Sequence, residues 1–271
     1  MLRLQYRSDR EYLQHNQYRT SSNLNARFNL HDRFSTNQYG WHRWVFDHFN
    51  FPSQSRLLEL GCGGAYLWTK NRDRIPKEWD ITLSDFSPGM LQDARSSLQS
   101  LGHPIRFEVT DAQSIGCKEA SFDAVIANHM LYHVPNRHKA FSEIYRVLKP
   151  EGRFLVTTNG QSHLKELGAL VKRCSSEYDD PNQIADTFSL ENGEAQLSQW
   201  FPNITVTHYQ DSLLITEVDG LLSWAESWAG SVFGDRLGVF LTFLEEEFRR
   251  QGAIHVTKDS GLFEIRKCND A

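Results

Sequence analysis

The stretch LLELGCGGAYLW, Leu57 to Trp68, runs from apolar residues straight into glycines, with an acid, Glu59, two positions ahead of the first. Gly61 and Gly63 are the residue type for a sharp turn and for close approach of a ligand to the backbone. A dinucleotide loop, G-x-G-x-x-G, needs a third glycine at position 66, where this chain has Tyr66. Pyrophosphate is held by N–H donors and gains nothing from a carboxylate beside it. Glu59 therefore turns the loop toward a ligand without phosphates. A tight strand-to-helix turn with no ligand is the plain alternative.

Further polar residues fall where apolar runs end. Asp85 lies about 24 residues beyond Gly61, close to the offset at which an acid meets a ribose diol in nucleotide-binding βαβ units. Its two oxygens can accept from both vicinal hydroxyls. Phe86-Ser87-Pro88-Gly89-Met90 follows, so a helix cap or Asx-turn competes with the ribose role. Asp111-Ala112 could accept from the exocyclic amine of adenine, or cap the turn at 112–114. Asn128 and His129 leave the next run, and His129 and His133 stand four apart, as on the rim of a site. Either histidine could take a proton from an acceptor, having an ordinary pKa near neutrality. His133 packed under the next helix is the structural alternative.

Elements must hold these residues together. Residues 1–52 read as a helical arm rich in Arg, Asn and aromatics, with Trp41–Phe49 amphipathic at helical spacing. Pro52 separates it from strand candidates Arg56–Leu60, Ile81–Asp85, Ile105–Asp111, Phe122–His129 and Gly152–Asn159. Helix-period segments between them predict a parallel sheet covered on both faces, with ligands at the carboxyl ends of its strands. Two more strand candidates follow, Thr205–Leu214 and Ala253–Arg266. Trp224 and Trp228 stand one helical turn apart, and Phe240, Leu241, Leu244 and Phe248 make a further apolar stripe. Such a stripe is core or, here, the wall of an acceptor cavity.

The 271 residues hold 29 Lys+Arg against 34 Asp+Glu, a net charge of -5, which argues against broad capture of nucleic acid. Cys62, Cys117, Cys174 and Cys268 are scattered without C-x-x-C spacing, so free thiols in a reducing compartment are expected and a zinc site is not. No run has signal-peptide character or the length to span a bilayer. A cytoplasmic address without a membrane partner is the expectation.

Taken in order, these motifs resemble one family. E-L-G-C-G, an acid followed by S-P-G-M-L, then D-A, then F-D-A-V-I-A before L-Y-H-V, resemble class I S-adenosylmethionine-dependent methyltransferases. Glu143–Gly152, EIYRVLKPEG, looks like the E-x-x-R-V-L-K-P-G-G of the type 11, ubiquinone-biosynthesis-like branch. The resemblance covers about residues 55–160. It departs at Gly64-Ala65, where the family usually has Thr-Gly, and at Glu151, which replaces a glycine.

The resemblance implies an α/β fold: a Rossmann-like, doubly wound, mostly parallel seven-stranded sheet with helical insertions after the fifth strand. Residues 1–52 would form the arm or lid. Residues 53–271 would form the methyltransferase domain, with a cofactor-binding core at 55–160 and acceptor-side helices at 161–250. S-adenosyl-L-methionine would be the cofactor and S-adenosyl-L-homocysteine its product. Glu59, Gly61, Cys62 and Gly63 would line the methionine end, where an acid suits an ammonium. Asp85 would hold the ribose, Phe86 and Met90 would pack near adenine, and Asp111 with Ala112 would read its edge. Asn128 and His129 would sit where the sulfonium methyl faces the acceptor, a small or medium-sized metabolite methylated on O, N or C. By its own composition the arm could fold over the cofactor, with Tyr18, Arg27 or Tyr39 touching the ligand, or be a solvated helical arm that merely packs. A tRNA- or RNA-modifying enzyme and a non-catalytic cofactor-binding protein of the same fold are the alternatives.

Overall fold

A computed structural model describes residues 9–174, 187–227 and 237–268. Its helices are α1 (Arg10–Tyr12), α2 (Ser22–Phe34), α3 (Trp41–Asp47), α4 (Tyr66–Thr69), α5 (Pro88–Leu98), α6 (Arg137–Val147), α7 (Lys165–Cys174), α8 (Gly193–Leu197), α9 (Val218–Glu226) and α10 (Leu237–Gln251). The strands are β1 (Arg56–Leu60), β2 (Asp80–Asp85), β3 (Ile105–Val109), β4 (Phe122–Asn128), β5 (Leu148–Asn159), β6 (Asn203–Tyr209), β7 (Ser212–Ile215), β8 (Ile254–Thr257) and β9 (Ser260–Arg266). Seven of them form one sheet in the order β3-β2-β1-β4-β5-β9-β6. β9 runs antiparallel to both its neighbours, and the other pairings are parallel.

The central strands read as unbroken apolar runs because both sheet faces are covered. On β1, Leu58 and Leu60 face a core shared with Phe141 and Ile144 of α6, while Leu57 faces Val45, Trp68 and Leu91 on the other side. That alternation is the two-residue period of a strand. A third core lies beyond the sheet, where Leu30 and Phe34 of α2 pack with Trp224 of α9 and with Phe240, Leu244 and Phe248 of α10. Of the tryptophan pair, Trp228 lies outside the described residues. Among the described residues no helix is long and apolar enough to cross a membrane.

Two strand expectations need correction. Thr205–Leu214 and Ala253–Arg266 are not continuous. The antiparallel pairing of β6 with β9 ends at Tyr209 opposite Ser260, and resumes in a separate two-stranded sheet with Ser212 opposite Thr257. Gln210-Asp211 and Lys258-Asp259 fill the break. The cause is chemical: Asp211 and Lys258 form an ion pair there, with side chains 0% and 6% exposed. Buried charges must find partners, and the register, unchanged across the gap, sets these two opposite each other; the backbone there is paired elsewhere, Gln210 O accepting from Asn37 Nδ2 and Asp259 O from Gly160 N. β5 also starts earlier than Gly152, with Leu148 paired to Phe122 before a register shift that ends at Ala124 opposite Arg153.

The E-x-x-R motif has a structural role. Glu143 accepts from Arg146 and from the Ile115 amide, and Arg146 donates to the carbonyls of Ile115 and Cys117. It braces the connection that carries the chain from β3 into β4. Both departures from the family glycines fall on left-handed backbone, Ala65 at φ 61° and Glu151 at φ 62°. There a β-carbon costs about 1–2 kcal/mol, the reason glycine is favoured.

Candidate active site

Strand order reverses between β1 and β4, which opens a crevice at their carboxyl ends. A cavity of about 630 Å³ occupies it, and every predicted site residue reaches its wall: Glu59, Gly61, Cys62, Gly63, Asp85, Phe86, Met90, Asp111, Ala112, Asn128, His129 and His133 all line it.

The glycine loop has the backbone that its composition demands. Gly61 and Gly63 stand at φ 68° and 53°, and a β-carbon on Gly61 would come 2.8 Å from Met130 Cβ. Glu59 sits beneath the loop, 2% exposed. It accepts from Trp68 Nε1 at 2.5 Å, and no cation pairs with it among the described residues. Burial raises its pKa to about 8, against the Trp68 hydrogen bond that favours the ionised form. The Cys62 thiol is likewise pushed up by burial and the nearby Asp85 charge, so it is an inert part of the loop.

Asp85 accepts from the Gly63 amide at 2.9 Å and from the Ser87 amide at 2.8 Å. The Asx-turn is therefore present, and it coexists with a carboxyl on the cavity wall. Burial raises its pKa, while these amides act in the other direction. Ser87 caps α5 through Met90 N, and Met90 is buried below the Phe86 side. Asp111 accepts from Gln113 N at 2.9 Å, which is its turn role, and also pairs with Arg10 at 2.8 Å. Arg10 lies over the Phe86 ring, 4.5 Å from its centroid. Asn128 Oδ1 accepts from Thr157 Oγ1.

The two histidines part company. His129 leaves β4 at φ 52° and packs on Trp41, with ring centroids 5.0 Å apart. Burial, with the Lys258 charge, lowers its pKa to about 4. His133 ends a single 3₁₀ turn and meets the arm through Tyr18 Oη, 2.8 Å from Nε2. The i, i+4 spacing does not make them a pair, because no helix runs through both.

The arm lies across the crevice. Besides Arg10 and Tyr18, the Tyr18 carbonyl accepts from Ser87 Oγ at 2.7 Å, and Ser21 N donates to Asp93 at 2.7 Å. Tyr18, Arg27 and Tyr39 line the cavity. The wall also carries Trp41 and Trp224, from the amphipathic segment and the aromatic stripe read in the sequence, and His31, His42, His163 and Lys258, which no motif announces. They come from five segments of the chain. The one visible sign was the polar interruption of strand candidates at 210–211 and 258–259.

Sheet order, strand-end acids and glycine loop together define a Rossmann-like α/β fold with a ligand crevice at the strand ends. Residues 58–156 match the family model described as "Methyltransferase domain". Over that segment the chain is similar to class I S-adenosylmethionine-dependent methyltransferases of the ubiquinone-biosynthesis-like branch. It is 34% identical over 176 residues to the biotin biosynthesis bifunctional protein BioHC of Teredinibacter turnerae, covering 61% of this chain and 31% of that one. It is 26% identical to the ubiquinone/menaquinone biosynthesis C-methyltransferase UbiE of Pectobacterium atrosepticum, covering 48% of this chain and 53% of that one. The chain thus spans about a third to a half of the length of these relatives. In fold it is similar to Haemonchus contortus phosphoethanolamine N-methyltransferase 2 solved with S-adenosyl-L-methionine, with a TM-score of 0.59 at 20% identity, covering 96% of this chain and 60% of that one.

Proposed function

We propose that this protein transfers the methyl group of S-adenosylmethionine to a small-molecule acceptor by in-line displacement. One observation carries the reading: Glu59 is a buried carboxyl on the cavity wall with an indole N–H for company and no cation. A buried acid of this kind fits an ammonium, which the methionine end of the cofactor has, and repels a phosphate. The rest of the wall suits the same ligand. Gly61, Cys62 and Gly63 would follow the methionine backbone, Asp85 the ribose hydroxyls, Phe86 and Met90 the adenine face, and Asp111 with Ala112 its edge. Asn128 and His129 would border the transferred methyl.

When bound, the cofactor supplies an electrophilic methyl on a positively charged sulfur with a good leaving group. The chain's own task is then to align the acceptor and keep water out. Residues 1–52 are assigned the second part, as a lid. Arg10 holds Asp111 and Phe86 where adenine would lie, so loading requires Arg10 to swing away. His129 and His133 are the candidate proton acceptors, the first facing the aromatic side of the cavity and the second tied to the lid.

Calorimetry with S-adenosylmethionine and NAD side by side tests the class of ligand. Binding of the former alone is expected, and tight NAD binding without it would overturn the reading. Screening metabolite extracts for S-adenosylhomocysteine release then finds the acceptor. On that acceptor His129→Ala and His133→Ala should each lower turnover at saturating cofactor; if neither does, both leave the mechanism.

A further inference from the structure

The cavity wall is mixed in charge: Glu59, Asp85 and Asp111 line it with Arg10, Arg27, Arg43, Lys70 and Asp32, and within it His31, His42, His129, His163 and Lys258 form one cluster beside Trp41. Lys258 is the fixed charge of this corner. Its ammonium has three N–H donors. Asp211 accepts one, and the Tyr209 ring centroid lies 5.6 Å from Nζ. Asp211 is shared in turn among Ser35 Oγ at 2.6 Å, Asn37 N at 3.0 Å and Ser212 N at 2.8 Å. The carboxylate is saturated and the ammonium is not, so a surplus of donors remains at the corner.

The imidazoles add to it. Asp259 N donates to His163 Nδ1 at 3.2 Å. Nδ1 therefore carries no proton, the ring is neutral, and Nε2–H is a donor. His31 stacks on His163 with centroids 5.7 Å apart, and its Nδ1 is buried without a partner, as is Trp41 Nε1. Asp32, the acid next to His31, is half-exposed and engaged with Lys70 at 2.9 Å. The charges that act on these rings are Lys258, Lys70 and the other histidines. The four imidazoles are no metal cage: among the described residues no group of three or more potential ligands converges.

We propose that this corner anchors the methyl acceptor and that the acceptor carries an oxyanion, a carboxylate or a phosphate, received by Lys258 and the neighbouring N–H donors. The proposal rests on the methyl-transfer reading only for the word acceptor; the anion site stands on its own residues. Burying an oxyanion is costly unless charge and hydrogen bonds meet it together, and here both are in place. A cationic acceptor would bring no acceptor for the donors that Asp211 leaves free on Lys258, and a neutral one would leave the ammonium's charge unmatched on the cavity side. Trp41, Trp224, Phe28 and Tyr66 on the wall suit a flat scaffold behind the anion.

The test is a tryptophan-fluorescence titration of the full chain with benzoate, phenyl phosphate and the neutral benzamide, with and without S-adenosylhomocysteine. At least one anion should bind tenfold or more tightly than benzamide. Which one binds names the oxyanion. Lys258→Met should lower anion affinity at least tenfold and leave benzamide unchanged. Because that change strands Asp211, the double variant Lys258→Met/Asp211→Asn and the single His163→Gln are measured beside it, each checked for folding by circular dichroism. Equal binding of benzamide and the anions, no anion binding, or undiminished anion binding in the folded double variant would overturn the proposal. Calorimetry with S-adenosylhomocysteine separates the two readings: its failure with anion binding intact removes the methyltransferase function and retains the anion site.

Discussion

Cofactor affinity should depend on pH through Glu59. In the free protein burial holds this carboxyl at a pKa of about 8, so it is largely protonated at pH 7. The ammonium of the cofactor pairs only with the ionised form, so binding releases a proton and strengthens as pH rises toward 8. The competent fraction is about one in eleven at pH 7 and about one in a hundred at pH 6, and apparent affinity scales with that fraction. Affinity for S-adenosylhomocysteine should therefore weaken roughly tenfold from pH 7 to pH 6, or about 1.4 kcal/mol. Four of the cavity histidines leave this window undisturbed. His42 and His129 titrate at about 3 and about 4, and His31 and His163 are also lowered by burial, so these four stay neutral throughout. Calorimetry in two buffers of different ionisation enthalpy counts the released proton directly. Glu59→Gln should flatten the profile. Trp68→Phe, which removes the N–H donated to the carboxylate, should move its midpoint upward. A flat profile between pH 6 and 8 with no proton released would refute the assignment of Glu59 to the ammonium.

Three substitutions test the scaffold. Gly89→Ala places a β-carbon 1.9 Å from the Arg19 carbonyl while improving the helix propensity of α5 by about 1 kcal/mol; limited trypsin digestion should cut the arm faster, with the melting temperature of the sheet not lowered. Gly61→Ala, at φ 68° and against Met130, should cost at least about 1–2 kcal/mol in urea denaturation and weaken cofactor binding. Asp211→Ala leaves Lys258 buried without its partner, at a cost of about 3–5 kcal/mol by denaturant titration, and adding Lys258→Met should recover most of it.

The cofactor side of the molecule was legible in the sequence because its residues are local to strand ends. A strand ends where its apolar run ends, so Glu59, Asp85, Asp111 and Asn128 could be read one at a time, and a parallel sheet brings all four ends to one edge. The glycines could be read because left-handed backbone leaves few other residue types. The acceptor side has no such signal. His31, His42, His163 and Lys258 come from separate segments and meet only through the packing of α2 and α3 against the break between β6/β9 and β7/β8. The break itself was misread as continuous strand, since it is made by distant residues: Thr36, Asn37 and Gly160 take the backbone carbonyls of Ser212, Gln210 and Asp259. His129 and His133 both reach the cavity wall, but from a strand end and a 3₁₀ turn and not from successive turns of one helix.

The neutral state of His129 bears on which acceptors this site can use. Burial and the Lys258 charge keep the ring unprotonated, so it can accept a proton at any pH from 6 to 8. The same effects make it a weak base, and a base with a pKa of about 4 cannot ionise an alcohol before methyl transfer. Efficient proton transfer needs a base matched to its partner and to the working pH. His129 is matched to a group that becomes acidic only as the methyl arrives, or to an acceptor that is nucleophilic already and loses no proton. A corner that receives oxyanions selects acceptors of the second kind when the anion itself is the nucleophile. Transfer then joins a sulfonium to an anion and removes both charges, a change that a water-poor cavity favours more than bulk solvent does. Under this mechanism the turnover lost in His129→Ala at saturating cofactor should lie mainly in a raised KM for the acceptor, whereas a true general base would lose kcat.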